Sequence, residues 1–144
     1  MKTLLRLFVG LFLTACVAFA SAELSSVPFV VGQQQFKAGD SIVIDQVLAT
    51  SPLLAVGTKV TVRGHYHLAS ASKARLGLFV THQSPVKTAD ASTNSQVQQM
   101  ERASGSFELS CEITYDGDSH VSLYPATGGK SFGGVYFSAA PRKS

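Results

Sequence analysis

Residues 59–68 have the sequence Lys-Val-Thr-Val-Arg-Gly-His-Tyr-His-Leu, in which small or apolar residues alternate with mostly polar ones. Successive side chains of a β-strand point to opposite faces of the sheet, so this period of two predicts a strand with one buried and one wet face. The alternation assigns the side chains to two faces: Val60, Val62, Gly64, Tyr66 and Leu68 on the inner one, and Thr61, Arg63, His65 and His67 on the outer one.

A second alternating run covers residues 106–115 and places Phe107, Leu109, Cys111 and Ile113 on its inner face. A cysteine in such a position is expected to behave as a small hydrophobic residue of the core. A reactive or intermolecular thiol is the alternative, which the predicted burial disfavours.

Shorter β-rich runs separated by turn residues fill most of the remaining chain. We predict strands at 28–31, 41–47, 74–81, 120–124 and 131–138, with turns at 37–40 and 116–117. Residues 82–95 are expected to form an exposed loop. Residues 96–102 fit either a helical turn or a strand that forms a hairpin with the run that follows it, and we favour the strand. Seven or eight short strands predict an all-β, antiparallel β-sandwich with a jelly-roll or related topology.

The first 22 residues have the three regions of a cleavable signal peptide. Lys2 and Arg6 form a positive start, an apolar run follows, and Ala20-Ser21-Ala22 provides small residues before a cleavage point. The apolar run is shorter than the roughly 20 residues of a membrane-spanning helix, so no stable membrane insertion is expected after cleavage. The predicted location is secreted or periplasmic.

Cys16 supports an alternative location. The segment Leu13-Thr14-Ala15-Cys16 resembles a lipobox, which would anchor the protein as a lipoprotein at Cys16. The residues after Cys16 continue the apolar run rather than starting a polar tether, so we favour the cleavable signal peptide.

Removing 22 of the 144 residues leaves 23–144, which we predict to be a single β-sandwich domain. That part contains 10 basic and 9 acidic side chains. So small a net charge does not indicate binding to nucleic acid.

Motifs for common chemistries are scarce. The chain contains no His-Glu-x-x-His sequence, no Rossmann glycine fingerprint and no second cysteine in 23–144 for a thiolate metal site. No catalytic residues are predicted, and a non-enzymatic role is favoured.

His65 and His67 are the best candidates for metal ligands. Their Cα atoms are about 7 Å apart on one face of a strand, and neutral imidazole suits zinc, copper or nickel. His120, His82 or a distant carboxylate would have to supply a third ligand, and the Arg63 charge on the same face opposes a cation. A divalent metal cofactor is therefore an alternative, and a polar outer face is the favoured interpretation.

Tyrosine rings are the candidates for ligand binding. Tyr66, Tyr124 and Tyr136 could stack on sugar rings, with Arg63 as a further candidate contact, although most rings at alternating positions are expected in the core. Asp45 interrupts an apolar run, so we expect it to have a structural partner or to be solvated at a β-bulge. Asp116 and Asp118 are expected to serve the turn at Gly117.

The runs GDSIVIDQV (39–47), VTVRGHYHLASASKARLGLFVT (60–81) and HVSLYPATGGKSFGGVYF (120–137) resemble small exported bacterial proteins of uncharacterised function. The Gly-x-Tyr-x-Leu strand followed by an Ala-x-Leu-x-Leu strand is, more loosely, similar to jelly-roll carbohydrate-binding modules. That similarity implies binding of a carbohydrate.

The sequence thus favours a secreted or periplasmic binding protein for an extracellular glycan or envelope component. Two alternatives remain open at this point. One is a metal-binding protein that uses the His-x-His face, and the other is a structural or interaction protein of the envelope with no small ligand.

Overall fold

The computed structural model describes residues 22–82, 97–101 and 103–141. Nine strands follow one another in chain order: β1 (Ser25–Ser26), β2 (Phe29–Gln35), β3 (Ser41–Ala49), β4 (Lys59–His67), β5 (Ala74–His82), β6 (Val97–Met100), β7 (Ser104–Glu112), β8 (Gly117–Pro125) and β9 (Gly133–Ala139). The predicted signal peptide lies outside the described residues except for Ala22, and the predicted loop 82–95 does so except for His82.

The strands form two antiparallel sheets. The four-stranded sheet has the order β1-β3-β4-β7, and the five-stranded sheet has the order β2-β9-β8-β5-β6. Consecutive strands form hairpins at β3–β4, β5–β6 and β8–β9, whereas the other connections cross between the sheets. The expected antiparallel β-sandwich is confirmed, with nine strands rather than seven or eight, since the two-residue β1 is too short to recognise in the sequence.

Within the ranges given above, no helix is long and apolar enough to cross a membrane. The core lies between the sheets and is built from the inner faces of all the long central strands. Its fully buried side chains come from both sheets: Val47, Val60, Val62 and Leu109 from one, and Leu76, Leu78, Val121, Leu123 and Val135 from the other.

The alternation in β4 is confirmed with one exception. Val60, Val62 and Tyr66 are buried, and the outer residues are exposed apart from Thr61, which is 6% exposed. The Thr61 hydroxyl pairs with the hydroxyl of Ser110 at 2.8 Å, so its burial leaves no polar group unsatisfied.

Cys111 packs against the core, as its position in the alternating run predicts. Burial raises the pKa of its thiol to about 11. The thiol therefore stays protonated at neutral pH, which is the inert form of a cysteine.

Two local expectations need correction. Residues 97–100 form a strand, as favoured, but β6 pairs with β5 and not with the strand that follows it. Pairing with β5 brings Met100 into the core, where it is 1% exposed. Gly117 does not close a turn but begins β8, so that Asp118 lies within a strand.

Asp45 lies at a break in register between β3 and β4, where Ile44 pairs with Gly64 and Gln46 with Arg63. This β-bulge turns the carboxylate outward, and its Oδ2 lies 3.0 Å from Nδ1 of His65. The prediction of a bulge with a structural partner is confirmed.

Asp40 ties the β2–β3 turn to the loop after β4. Its carboxylate accepts hydrogen bonds from the backbone N–H groups of Ala69 (2.8 Å) and Ser70 (2.9 Å) and from the Ser70 hydroxyl (2.6 Å). Burial alone would raise the pKa of this carboxyl, but the three hydrogen bonds and the charge of Lys37 lower it below its usual value. The charged form is thus the one that the fold stabilises.

Replacing Leu109 with Ala should lower the free energy of unfolding by about 2–5 kcal/mol, because the side chain is fully buried and its loss leaves a cavity. Urea unfolding followed by fluorescence or circular dichroism measures this. Leu53→Ala is the matched control, since Leu53 is 57% exposed and its truncation should cost less than about 0.5 kcal/mol. Equal losses for the two variants would contradict the described core.

Replacing Asp40 with Asn should destabilise the protein at neutral pH by about 1–3 kcal/mol, because an amide replaces a charged acceptor of three hydrogen bonds. The lowered pKa means that the wild-type advantage is full above the unfolded value of about 3.9 and is lost as pH falls through the folded value. Urea unfolding of both proteins from pH 7 to acid should show the difference shrinking. A constant difference would contradict a charged Asp40.

Candidate functional site

Three rings lie side by side on the outer face of the five-stranded sheet. The strand register pairs Phe79 of β5 with His120 of β8, and His120 with Tyr136 of β9. The imidazole centroid lies 4.9 Å from the Tyr136 ring and 5.9 Å from the Phe79 ring. We call Phe79, His120 and Tyr136 the aromatic row.

The next row across the same face carries almost no side-chain bulk. There, Gly77 of β5 pairs with Ser122 of β8, and Ser122 pairs with Gly134 of β9. A Cβ atom on Gly134 would lie 2.4 Å from Oγ of Ser122, so a larger residue does not fit without a shift. We call Gly77, Ser122 and Gly134 the glycine row.

A cavity of about 250 Å³ lies over the β9 end of the glycine row. Gln33 and Gln35 of β2 and the loop residues Ser131 and Phe132 line it together with Ser122 and Tyr136. The depression exists because the small residues of the glycine row lie between two bulkier elements, the aromatic row on one side and the loop before β9 on the other. Ligand pockets are typically concave and contain a few placed polar groups that orient the ligand.

His120 connects the aromatic row to the rows on either side of it through hydroxyl groups. Its Nε2 lies 2.8 Å from Oγ1 of Thr81, and its Nδ1 lies 2.7 Å from Oγ of Ser122. Burial lowers the pKa of the imidazole, although the negative charge of Asp118 opposes this. The ring is therefore neutral at pH 7, with one nitrogen donating and the other accepting a hydrogen bond.

Tyr124 extends the network along β8. Burial, and next the neighbouring Tyr136, raise the pKa of its phenol, while a hydrogen bond with Ser122 and the charge of Arg75 lower it less. The phenol is thus a neutral hydroxyl, and its ring packs edge-on against Phe79 at 5.3 Å. His120, Ser122 and Tyr124 are accordingly uncharged donors and acceptors, whereas Arg75 and Asp118 of the same face carry charges.

The structure brings only two of the four predicted ligand-binding residues together. Tyr124 and Tyr136 share the outer face of the five-stranded sheet. Tyr66 is in the core and 6% exposed, so it does not lie with these two rings. Arg63 lies on the outer face of the other sheet, where Nε donates to Oε2 of Glu108 at 2.5 Å, and it cannot join the two tyrosines.

The predicted metal ligands His65, His67 and His120 are also separated. His65 and His67 project from the outer face of the four-stranded sheet, whereas His120 projects from the opposite side of the sandwich, so the three cannot bind one ion. His67 Nδ1 lies 2.6 Å from the Ser104 hydroxyl. In the part of the chain that the structure describes, no group of three or more His, Cys, Asp or Glu side chains could hold a metal.

Residues 129–133 have the Gly-x-Ser-x-Gly spacing of a hydrolase nucleophile elbow, with Ser131 as the serine. The context differs, because Ser131 precedes strand β9 and not a helix. Both ring nitrogens of His120, which lines the same cavity, already pair with the hydroxyls of Thr81 and Ser122. These contacts provide no base for Ser131.

The sequence did not identify Ser122, Gln33 and Gln35 as site residues. The alternation Asp118-x-His120-x-Ser122-x-Tyr124 places polar groups on one face of β8, and it was visible in the sequence. The contribution of Gln33 and Gln35 was not, because it depends on β2 pairing with the distant strand β9.

The chain matches no family model, no curated protein and no solved structure. The resemblances drawn from the sequence therefore stay predictions.

His120 should make stability depend on pH. Because its folded pKa is lowered, the unfolded chain takes up a proton first as pH falls below about 6.5, and stability declines through that range. Thermal unfolding of the His120→Gln variant should show a smaller decline between pH 7 and 5 than the wild type shows. His67→Gln, an exposed histidine of the other sheet, is the control and should keep the wild-type slope, and an unchanged slope in His120→Gln would contradict the buried neutral ring.

Proposed function

We propose that the protein is a secreted or periplasmic, non-enzymatic binding module, and that its ligand is a glycan, with a neutral sugar unit bound on the outer face of the five-stranded sheet. The observation that carries this proposal is the cavity over the glycine row. Tyr136 offers a ring at its edge, and Gln33, Gln35 and Ser122 offer amide and hydroxyl groups around it.

The chemistry of these groups favours sugars over other ligand classes. Sugar hydroxyls donate and accept hydrogen bonds, as amides and hydroxyls do, and the apolar face of a sugar ring packs on an aromatic ring. Among the described residues that line the cavity, none carries a charge at pH 7, since burial keeps His120 neutral. The Lys37 ammonium lies 4.8 Å from the centroid of the Phe132 ring but is not itself part of the lining.

The preorganisation of the site also supports binding. His120, Ser122 and Thr81 hold one another by hydrogen bonds, and His120 and Ser122 are almost fully buried. Side chains that are already fixed lose little conformational entropy when a ligand binds. Strands β8 and β9, which lie beneath the cavity, are paired on both sides within the sheet and so form a rigid floor.

The two other functions considered from the sequence have less support. A metal-binding role would need a third ligand beside His65 and His67. The described residues contain no group of three His, Cys, Asp or Glu side chains that could hold a metal ion. A purely structural role in the envelope does not call for a depression with an aromatic edge.

The proposal predicts measurable affinity for neutral polysaccharides. Affinity electrophoresis of residues 23–144 in gels containing neutral glucans, mannans or xylans should show retardation, and calorimetry with matching oligosaccharides should give the dissociation constant. Tyr136→Ala and Gln35→Ala should each weaken binding about tenfold, because one removes the ring and the other an amide at the cavity.

His67→Ala is the matched control, because it changes a ring on the opposite sheet and should leave affinity unchanged. Circular dichroism and urea unfolding of each variant separate loss of binding from loss of folding. Failure of every neutral polysaccharide and oligosaccharide to bind the wild-type protein would overturn the proposal.

A further inference from the structure

A second depression adjoins the first. It has a volume of about 390 Å³ and is lined by Gly32, Thr81, Asp118 and Ser138, among others. Gln33 and Tyr136 line both cavities. The Tyr136 ring is therefore a ridge with a depression on either side.

The strand register explains this arrangement. Thr81 of β5 pairs with Asp118 of β8, one row beyond the aromatic row, while the glycine row lies one row before it. Ser122 and Asp118 are four residues apart on β8, which corresponds to about 13 Å at roughly 3.3 Å per residue. A ligand that fills both depressions must be longer than a single sugar ring and must cross Tyr136.

The two depressions differ in charge. The first has only neutral lining groups among the described residues, whereas the second contains the carboxylate of Asp118, on an exposed part of β8. Thr81 and Ser138 add hydroxyl groups beside it. A protonated amine is the group that a carboxylate flanked by hydroxyls recognises best, because it donates charge-assisted hydrogen bonds.

We infer that the ligand is an oligosaccharide of at least two units that bears a free amino group, with a neutral sugar in the cavity over the glycine row and an amino sugar next to Asp118. This inference rests on the proposed glycan-binding function and specifies its ligand. Tyr136, between the two units, contacts both.

The test compares two tetrasaccharides with the same β-1,4-linked backbone, the glucosamine tetramer, whose nitrogens are free amines, and its fully N-acetylated form, whose nitrogens are neutral acetamides. Calorimetry at a pH at which the amine is protonated should give about tenfold tighter binding of the glucosamine tetramer. Asp118→Asn should remove this preference. Asp116→Asn is the matched control, since Asp116 is exposed two residues earlier, lines neither cavity and should leave the preference intact.

The monosaccharide glucosamine should bind much more weakly than the tetramer, because it can fill only one depression. The inference is overturned if neutral oligosaccharides bind and the amine adds no affinity, or if Asp118→Asn keeps the preference, and in both cases the proposed glycan-binding function stands. If neither neutral nor amino sugars bind, the proposed function itself fails. Urea unfolding of Asp118→Asn confirms that the variant is folded.

Discussion

The alternation of side chains along strand β8 is the constraint on which both the core and the candidate site depend. This strand lies inside the five-stranded sheet between β5 and β9, and its side chains alternate between the interior and the outer face. Val121 and Leu123 fill the core, while His120, Ser122 and Tyr124 build the site. A shift of one residue in register would turn the imidazole towards the core between the sheets and the leucine towards the outer face. The apolar packing that stabilises the fold therefore also determines which groups a ligand meets.

The sequence was informative wherever one face of a strand is buried and the other is wet. The runs at 59–68 and 106–115 predicted strands β4 and β7 and their inner faces, because the period of two is a direct result of the pleat. Asp45 was also anticipated, since a carboxylate in an apolar strand requires a partner or a bulge. The sequence was less informative for β6, because the local pattern of a short strand does not show which strand it pairs with, here β5.

The candidate site was predicted only in part, for a physical reason. Tyr124 and Tyr136 were recognised as rings, but the sequence does not show which rings of a sandwich face outward until every strand has a register. Tyr66 looked equivalent to them and is a core residue. Likewise, His65, His67 and His120 shared a residue type but not a sheet, and the glutamines of β2 reach the site only through pairing with β9.

Strand β2 has a further consequence as an edge strand. Among the strands that the structure describes, only β9 pairs with it, and the pairing is interrupted by a register shift between Val31 and Gln34. Segments of this kind open locally at lower free-energy cost than central strands do. Gln33 and Gln35 belong to this segment. Occupancy of the cavity would therefore slow the exchange of its backbone amide hydrogens with solvent. The stabilisation that a bound ligand gives would be concentrated at this edge of the sheet.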